Sequence, residues 1–170
     1  MRTSFAAFIL SFGIATVANA DNFSTFMRGV VVAAIDETDE IDETCFSNGE
    51  AMFLTIADAV KDLCEGTEES TQAGIQLIGK VIQEASKELI DCEEAMGDFE
   101  ALIQKAKSFS HPEAFAYSAG NNIIINHIEV TEEIRDAMDE WEEPEYFESG
   151  FKLGEALAQA FPVGSSVSIE

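Results

Sequence analysis

Three cysteines, two histidines and a dense population of carboxylates are the side chains in this chain that could do chemistry. Cys45, Cys64 and Cys92 could form disulfides, bind a metal or attack an electrophile. There is no Cys-x-x-Cys, so the ligand spacing of a structural zinc site is missing. A thiol nucleophile needs a base or another activating group beside it. His111 and His127 have no Ser, Cys or acid partner at a spacing that marks one. Asp36, Asp39 and Asp42 belong to a run with six carboxylates in the eight residues 36–43. Calcium is a hard cation that takes six to eight oxygen ligands, so this run is a candidate weak calcium site. It does not follow the EF-hand pattern, which needs a glycine at its sixth place, and a solvated acidic loop is the competing reading. Glu142, Glu143, Glu145 and Glu148 gather around Pro144. Carboxylate pairs hydrolyse glycosides only at a fixed separation across a cleft, and among 33 acids a pair by itself carries no signal. These residues predict no catalytic set, no cofactor beyond weak calcium, and a protein that is not an enzyme.

The charge balance says what such a chain would meet. There are 9 Lys+Arg against 33 Asp+Glu, a net charge of −24. Nucleic acid and anionic membrane surfaces bind through Lys and Arg, so both are excluded as partners. Divalent cations, basic proteins and self-association remain. Hydrophobic residues make up 46% and recur with a helical period, so this is a core-forming sequence and not a disordered acidic tail.

Residues 1–20 speak about location. Arg2 is followed by an apolar run from Phe5 to Val17, then by Ala18-Asn19-Ala20, a small-x-small cleavage signal. This is the grammar of a secretory signal peptide cut after Ala20. The run is shorter than the roughly 20 residues of a membrane span, and no later segment approaches one. Cleavage removes one basic and no acidic residue, leaving 8 basic against 33 acidic residues and a charge of −25. The expected organisation is a signal peptide over 1–20, an acidic helical domain over 21–161 and a loose tail over 162–170. The expected location is extracellular or a secretory granule. Asn22-Phe23-Ser24 is an N-glycosylation sequon beside the cut.

The elements that must position these groups read as helices. Phe23, Phe26, Met27, Val30, Val31 and Ala34 share one face of a first helix. Ser47-x-x-Glu50 is a capping box opening a second helix, with Phe53, Ile56, Ala57, Val60, Leu63 and Cys64 on one face and Gly66 as its stop. Thr67 starts a third. There Ile75, Ile78, Ile82, Ala85, Leu89, Cys92, Met96, Phe99, Ile103 and Ala106 keep a 3-4 spacing, a heptad seam. Unbroken, it would run about 60 Å, long for this domain, and Gly97 is the place for a bend. Ser110-His111-Pro112-Glu113 predicts another start, with Phe115, Ala119 and Ile123 at helical spacing. Ile123-Ile124-Ile125 is β-branched but shows no evident partner strand. Thr131 is read as the cap of a helix with Ile134, Ala137, Met138 and Trp141, ended by Pro144. A last helix carries Phe147, Gly150, Phe151, Gly154, Leu157, Ala158 and Phe161. The fold class is all-α: a single-domain bundle of about five to six helices with a long central heptad helix.

Helix lengths constrain the thiols. Cys45 and Cys64 bracket the second helix, about 28 Å apart along it, too far for a disulfide, which needs Cα atoms within about 7 Å. A turn at Gly66-Thr67 would fold the third helix back and bring Cys92 near Cys45. The prediction is a Cys45–Cys92 disulfide with Cys64 as the odd thiol, either buried or linking two chains, against three reduced cysteines acting as small apolar residues. The stripe Gly150, Gly154, Ala158 predicts close helix packing.

The stretch Asn121–Phe161, with Asn121, Asn122 and Asn126, the helix of Ile134, Ala137 and Trp141, and Tyr146-Phe147-Glu148-Ser149-Gly150-Phe151-Lys152-Leu153-Gly154, resembles a group of small secreted helical proteins of single-celled eukaryotes with no established activity. That resemblance implies a secreted helical fold. Leu89-Ile90-Asp91-Cys92-Glu93 is similar to part of the plant invertase and pectin-methylesterase inhibitor bundles, which implies an inhibitor role as one class. The expected function is binding or assembly by a secreted acidic helical protein, calcium-responsive in its sharpest version. The alternatives are a carrier of a small apolar ligand held beside Gly150 and Gly154, or a secreted inhibitor.

Overall fold

The computed structural model describes residues 21–34, 49–88, 103–104, 106–107, 109–114 and 116–161. Among the described residues five helices dominate: α1 over residues 21–34, α2 (Gly49–Glu65), α3 (Glu68–Glu88), α4 (Thr131–Glu142) and α5 (Tyr146–Ala160). Among the described residues between α3 and α4 lie the helical residues 103–104 and 106–107, a 3-10 turn (Pro112–Ala114) and three short strands, β1 (Ala116–Ala119), β2 (Asn122–Ile125) and β3 (Ile128–Glu129). The all-α class is what the structure shows, with a small antiparallel sheet added to it.

Most of the helix faces read from the sequence are the faces that are buried, but the one read for α2 is shifted: Ala57 and Val60 are half-buried and Cys64 is exposed, while Met52 and Ala59 are buried in their place. Phe23, Phe26, Met27, Val30, Val31 and Ala34 of α1 are all core, as are Phe53, Ile56 and Leu63 of α2. α2 and α3 form a hairpin. Gly66 takes a φ of +64°, the left-handed cap that a residue with a Cβ adopts only under strain. Thr67 and Ser70 then cap α3 reciprocally. The Ser70 N–H donates to Thr67 Oγ1 at 3.1 Å, and the Thr67 N–H donates to Ser70 Oγ at 3.0 Å. The return is antiparallel and tight: a Cβ on Gly74 would stand 2.8 Å from Leu63 Cγ and 2.9 Å from Ala59 O.

Ile75, Ile78, Ile82 and Ala85 of the heptad seam are buried, and so is Ala106. They do not belong to one straight rod. Gln83 Nε2 donates to Ala106 O at 3.0 Å, and Gly79 packs against Phe109 and Ala106. In an unbroken helix residues 79 and 106 would be about 40 Å apart. The chain has therefore come back on itself, and the seam is shared by two segments that pack side by side. Leu89, Cys92, Met96, Phe99 and Gly97, and with them the stretch likened to inhibitor bundles, lie outside the described residues.

The helix expected from Ser110 onward is replaced by the sheet. Pro112–Ala114 makes one 3-10 turn, and β1 then pairs antiparallel with β2, from Ala116↔Ile125 to Ala119↔Asn122. The loop is Gly120-Asn121, with Gly120 at φ +69°, a two-residue hairpin with glycine first. β2 pairs with β3 across Asn126-His127. Both of these take positive φ, 51° and 67°, the mark of a type I′ turn. Ile123 and Ile125 point into the core, while Asn122 is exposed and Ile124 half-buried, the alternation of a strand. Thr131 is also reassigned. It is the first residue of α4, and its Oγ1 accepts the Ile123 N–H at 2.8 Å instead of capping the helix. Asn126 Nδ2 donates to Ala160 O at 2.8 Å, tying the turn to a terminal carbonyl of α5.

His127 is the one strained choice in this turn, since a side chain in the left-handed region costs about 1–2 kcal/mol. His127→Gly removes that cost and adds a smaller entropic one, about 0.5–1 kcal/mol. The expected result is a gain of up to about 1 kcal/mol in urea unfolding. A loss would mean that the imidazole makes contacts worth more than the turn strain.

Candidate functional site

α1 is seated by glycines. A Cβ on Gly150 would run into Phe26 O, and one on Gly29 into Phe147 O, with Phe151 N at 2.6 Å. A Cβ on Gly154 would lie 2.5 Å from Val30 O and 2.7 Å from Ala33 Cβ. The matched pairs Phe26–Gly150 and Val30–Gly154 show that α1 and α5 run parallel, backbone against backbone. The space beside Gly150 and Gly154, the motive for an apolar carrier, is filled by α1. A cavity of about 10 Å³ lies among the helices, lined by Phe26, Ile56, Leu63, Ile134 and Leu153 among others. That is room for one water at most.

α4 and α5 form a second hairpin, closed by Ser149, fully buried, whose Oγ donates to Ala137 O at 2.7 Å. At one end of the pair four aromatic rings meet. Trp141 stacks on Phe53 with centroids 4.8 Å apart and takes Phe26 edge-on at 5.5 Å, while Tyr146 meets Trp141 and Phe53, each at 5.2 Å. The rings fill one another's faces, so they are packing and not an open cage.

The outer face of α4 is where charge concentrates. Glu132, Asp136, Asp139 and Glu142 are exposed, and so are Glu143, Glu145 and Glu148 beyond it. Glu132 and Glu133 sit in the first turn, where the helix dipole favours acids. Asp139, Glu140 and Glu142 sit at the other end, where it disfavours them. The last turns of α2, α4 and α5 contain no basic residue. The like-charged neighbours Glu132–Asp136 and Asp136–Glu140 add about 0.2–0.5 kcal/mol of repulsion each. α4 is held against this by Ile134, Ala137 and Trp141 on its inner face. Of the nearby cations, Arg135 donates to Asn121 O at 3.0 Å. Lys152 donates to Glu155 at 2.9 Å, and that bond together with Glu155, Asp136 and Glu133 raises its pKa.

Cys64 stands at the C-terminal end of α2, exposed, with its Sγ 3.2 Å from Met138 Sδ. Partial burial raises its pKa above the ordinary 9.0, and the charges of Glu142 and Asp139 raise it further. A reactive thiol is one whose pKa is lowered. The expected result is slow alkylation of Cys64 by iodoacetamide, located by peptide mapping, with its rate rising only above the pH at which a free thiol ionises. Glu142→Gln with Asp139→Asn should move that rise to lower pH by removing two of the three causes. Alkylation faster than that of free cysteine would overturn the picture.

The other sequence-predicted positions are not gathered into a site. His111 Nδ1 lies 3.5 Å from Glu113 Oε1 on the surface, and His127 is exposed in its turn. Asp36, Asp39 and Asp42, and the cysteines Cys45 and Cys92, lie outside the described residues. Among the described residues no cluster of three His, Cys, Asp or Glu side chains could hold a metal ion, and no helix is long and apolar enough to cross a membrane.

No curated protein and no solved structure matches the chain. The SctB-like family model, described as secreted protein B-like, matches residues 9–158. This corrects the resemblance to small secreted helical proteins of single-celled eukaryotes, which rested mainly on Asn121–Phe161. The geometry shows why those residues misled. Asn121 and Asn126 occupy tight turns that suit asparagine, and Gly150 and Gly154 serve a close helix approach, residue types that such local geometry favours in any chain. With a match over most of its length, the chain belongs to the SctB-like family, the secreted protein B-like proteins.

Proposed function

We propose that this protein is exported by a signal peptide over residues 1–20 and acts outside the cell or in a secretory granule, without catalysis, by binding or assembly through its acidic surface. Its counter-charge is supplied by divalent cations, calcium first, or by basic proteins. The observation that carries the reading is the placement of Asp139, Glu140 and Glu142 at the C-terminal end of α4, with no base in that turn. These acids work against the dipole of their own helix, so their presence is better explained by what they meet than by what they stabilise. A polyanion of this charge repels its copies, and a cation that screens or bridges the carboxylates removes the barrier to assembly. A Cys45–Cys92 disulfide, with Cys64 free, belongs to the same proposal of an exported, oxidised protein.

Calcium tests it directly. Light scattering and titration calorimetry on the mature chain at fixed ionic strength should show particle growth and heat at millimolar calcium, and little of either when sodium replaces it. Equal responses to the two salts would reduce the effect to screening. No response to calcium would remove the calcium version and leave basic proteins as the counter-charge.

A further inference from the structure

We draw no further inference here: the strongest candidate, the outer face of the three-stranded sheet where exposed Tyr117 stands opposite Ile124 in the β1–β2 register, carries nothing because nothing in the structure shows what covers it.

Discussion

Gly150→Ala should destabilise this protein by about 1–3 kcal/mol, the range for forcing extra atoms into a packed interior. The sign is what makes the experiment informative. In an exposed helix interior, glycine to alanine gains roughly 1 kcal/mol, because alanine is the better helix former. In α5 the new methyl would overlap Phe26 O, a backbone atom of α1 that cannot rotate away. Either α1 shifts outward or α5 does. Movement of α1 unseats Phe23, Phe26, Met27, Val30 and Val31, none more than 1% exposed. Gly29→Ala should behave alike, because its methyl would meet Phe147 O and Phe151 N from the other side. The double variant should cost less than the sum, since one displacement of α1 relieves both clashes. Urea unfolding by circular dichroism measures all three. Stabilisation by Gly150→Ala would mean that α1 does not lie on α5 as described.

Phe26→Ala should cost about 3–5 kcal/mol, the range for deleting a large buried aromatic side chain. Phe26 is 1% exposed, lines the small central cavity and meets Trp141 edge-on. Its loss joins the deleted volume to the space already there, which makes collapse around it harder. Against a typical domain stability of about 5–15 kcal/mol, this variant would sit near the edge of folding at 37 °C. Trp141 is the sole tryptophan in the chain, so its fluorescence reports on this cluster alone. The expected result is a red-shifted emission in the folded variant together with a lowered urea midpoint. If the midpoint falls and the emission is unchanged, the ring contact between Phe26 and Trp141 is wrong although the burial is right. Phe26→Leu keeps much of the apolar volume and should recover more than half of the loss. That recovery separates packing from a general failure to fold.

The positions that sequence reading placed well are those governed by local periodicity. A face such as Phe23, Phe26, Met27, Val30 and Val31 is fixed by the 3.6-residue turn of the helix, and its burial follows because that face must leave water. The stop at Gly66 and the cap at Thr67 are equally local, since each needs only its own neighbours. The sheet was legible in principle. Gly120-Asn121 is a hairpin loop of a recognised type, followed by Asn122-Ile123-Ile124-Ile125. It was obscured because its partner, Ala116-Tyr117-Ser118-Ala119, has no β-branched residue, and because Ala119 and Ile123 also sit at helical spacing. Thr131 looked like a cap because a hydroxyl before a helix usually is one; here the unpaired N–H of Ile123 reaches it first.

What the sequence determined by itself, then, is the charge, most of the helix faces, the turn at Gly66, and Gly150-x-x-x-Gly154 as a place of close approach. Which helix approaches was beyond it. That α1 fills the glycine groove of α5, that residue 106 returns beside Gly79, and that Met138 meets the thiol of Cys64 all depend on pairs far apart in the chain. Such pairs are chosen by the packing of complementary shapes, and no periodicity within one segment records the shape of another. The acids of α4 show the same division. Their number is a property of the composition, but that they face water at the wrong end of a helix, held there by Trp141 and Ile134 on the opposite face, is decided only when the hairpin of α4 and α5 closes on α1 and α2.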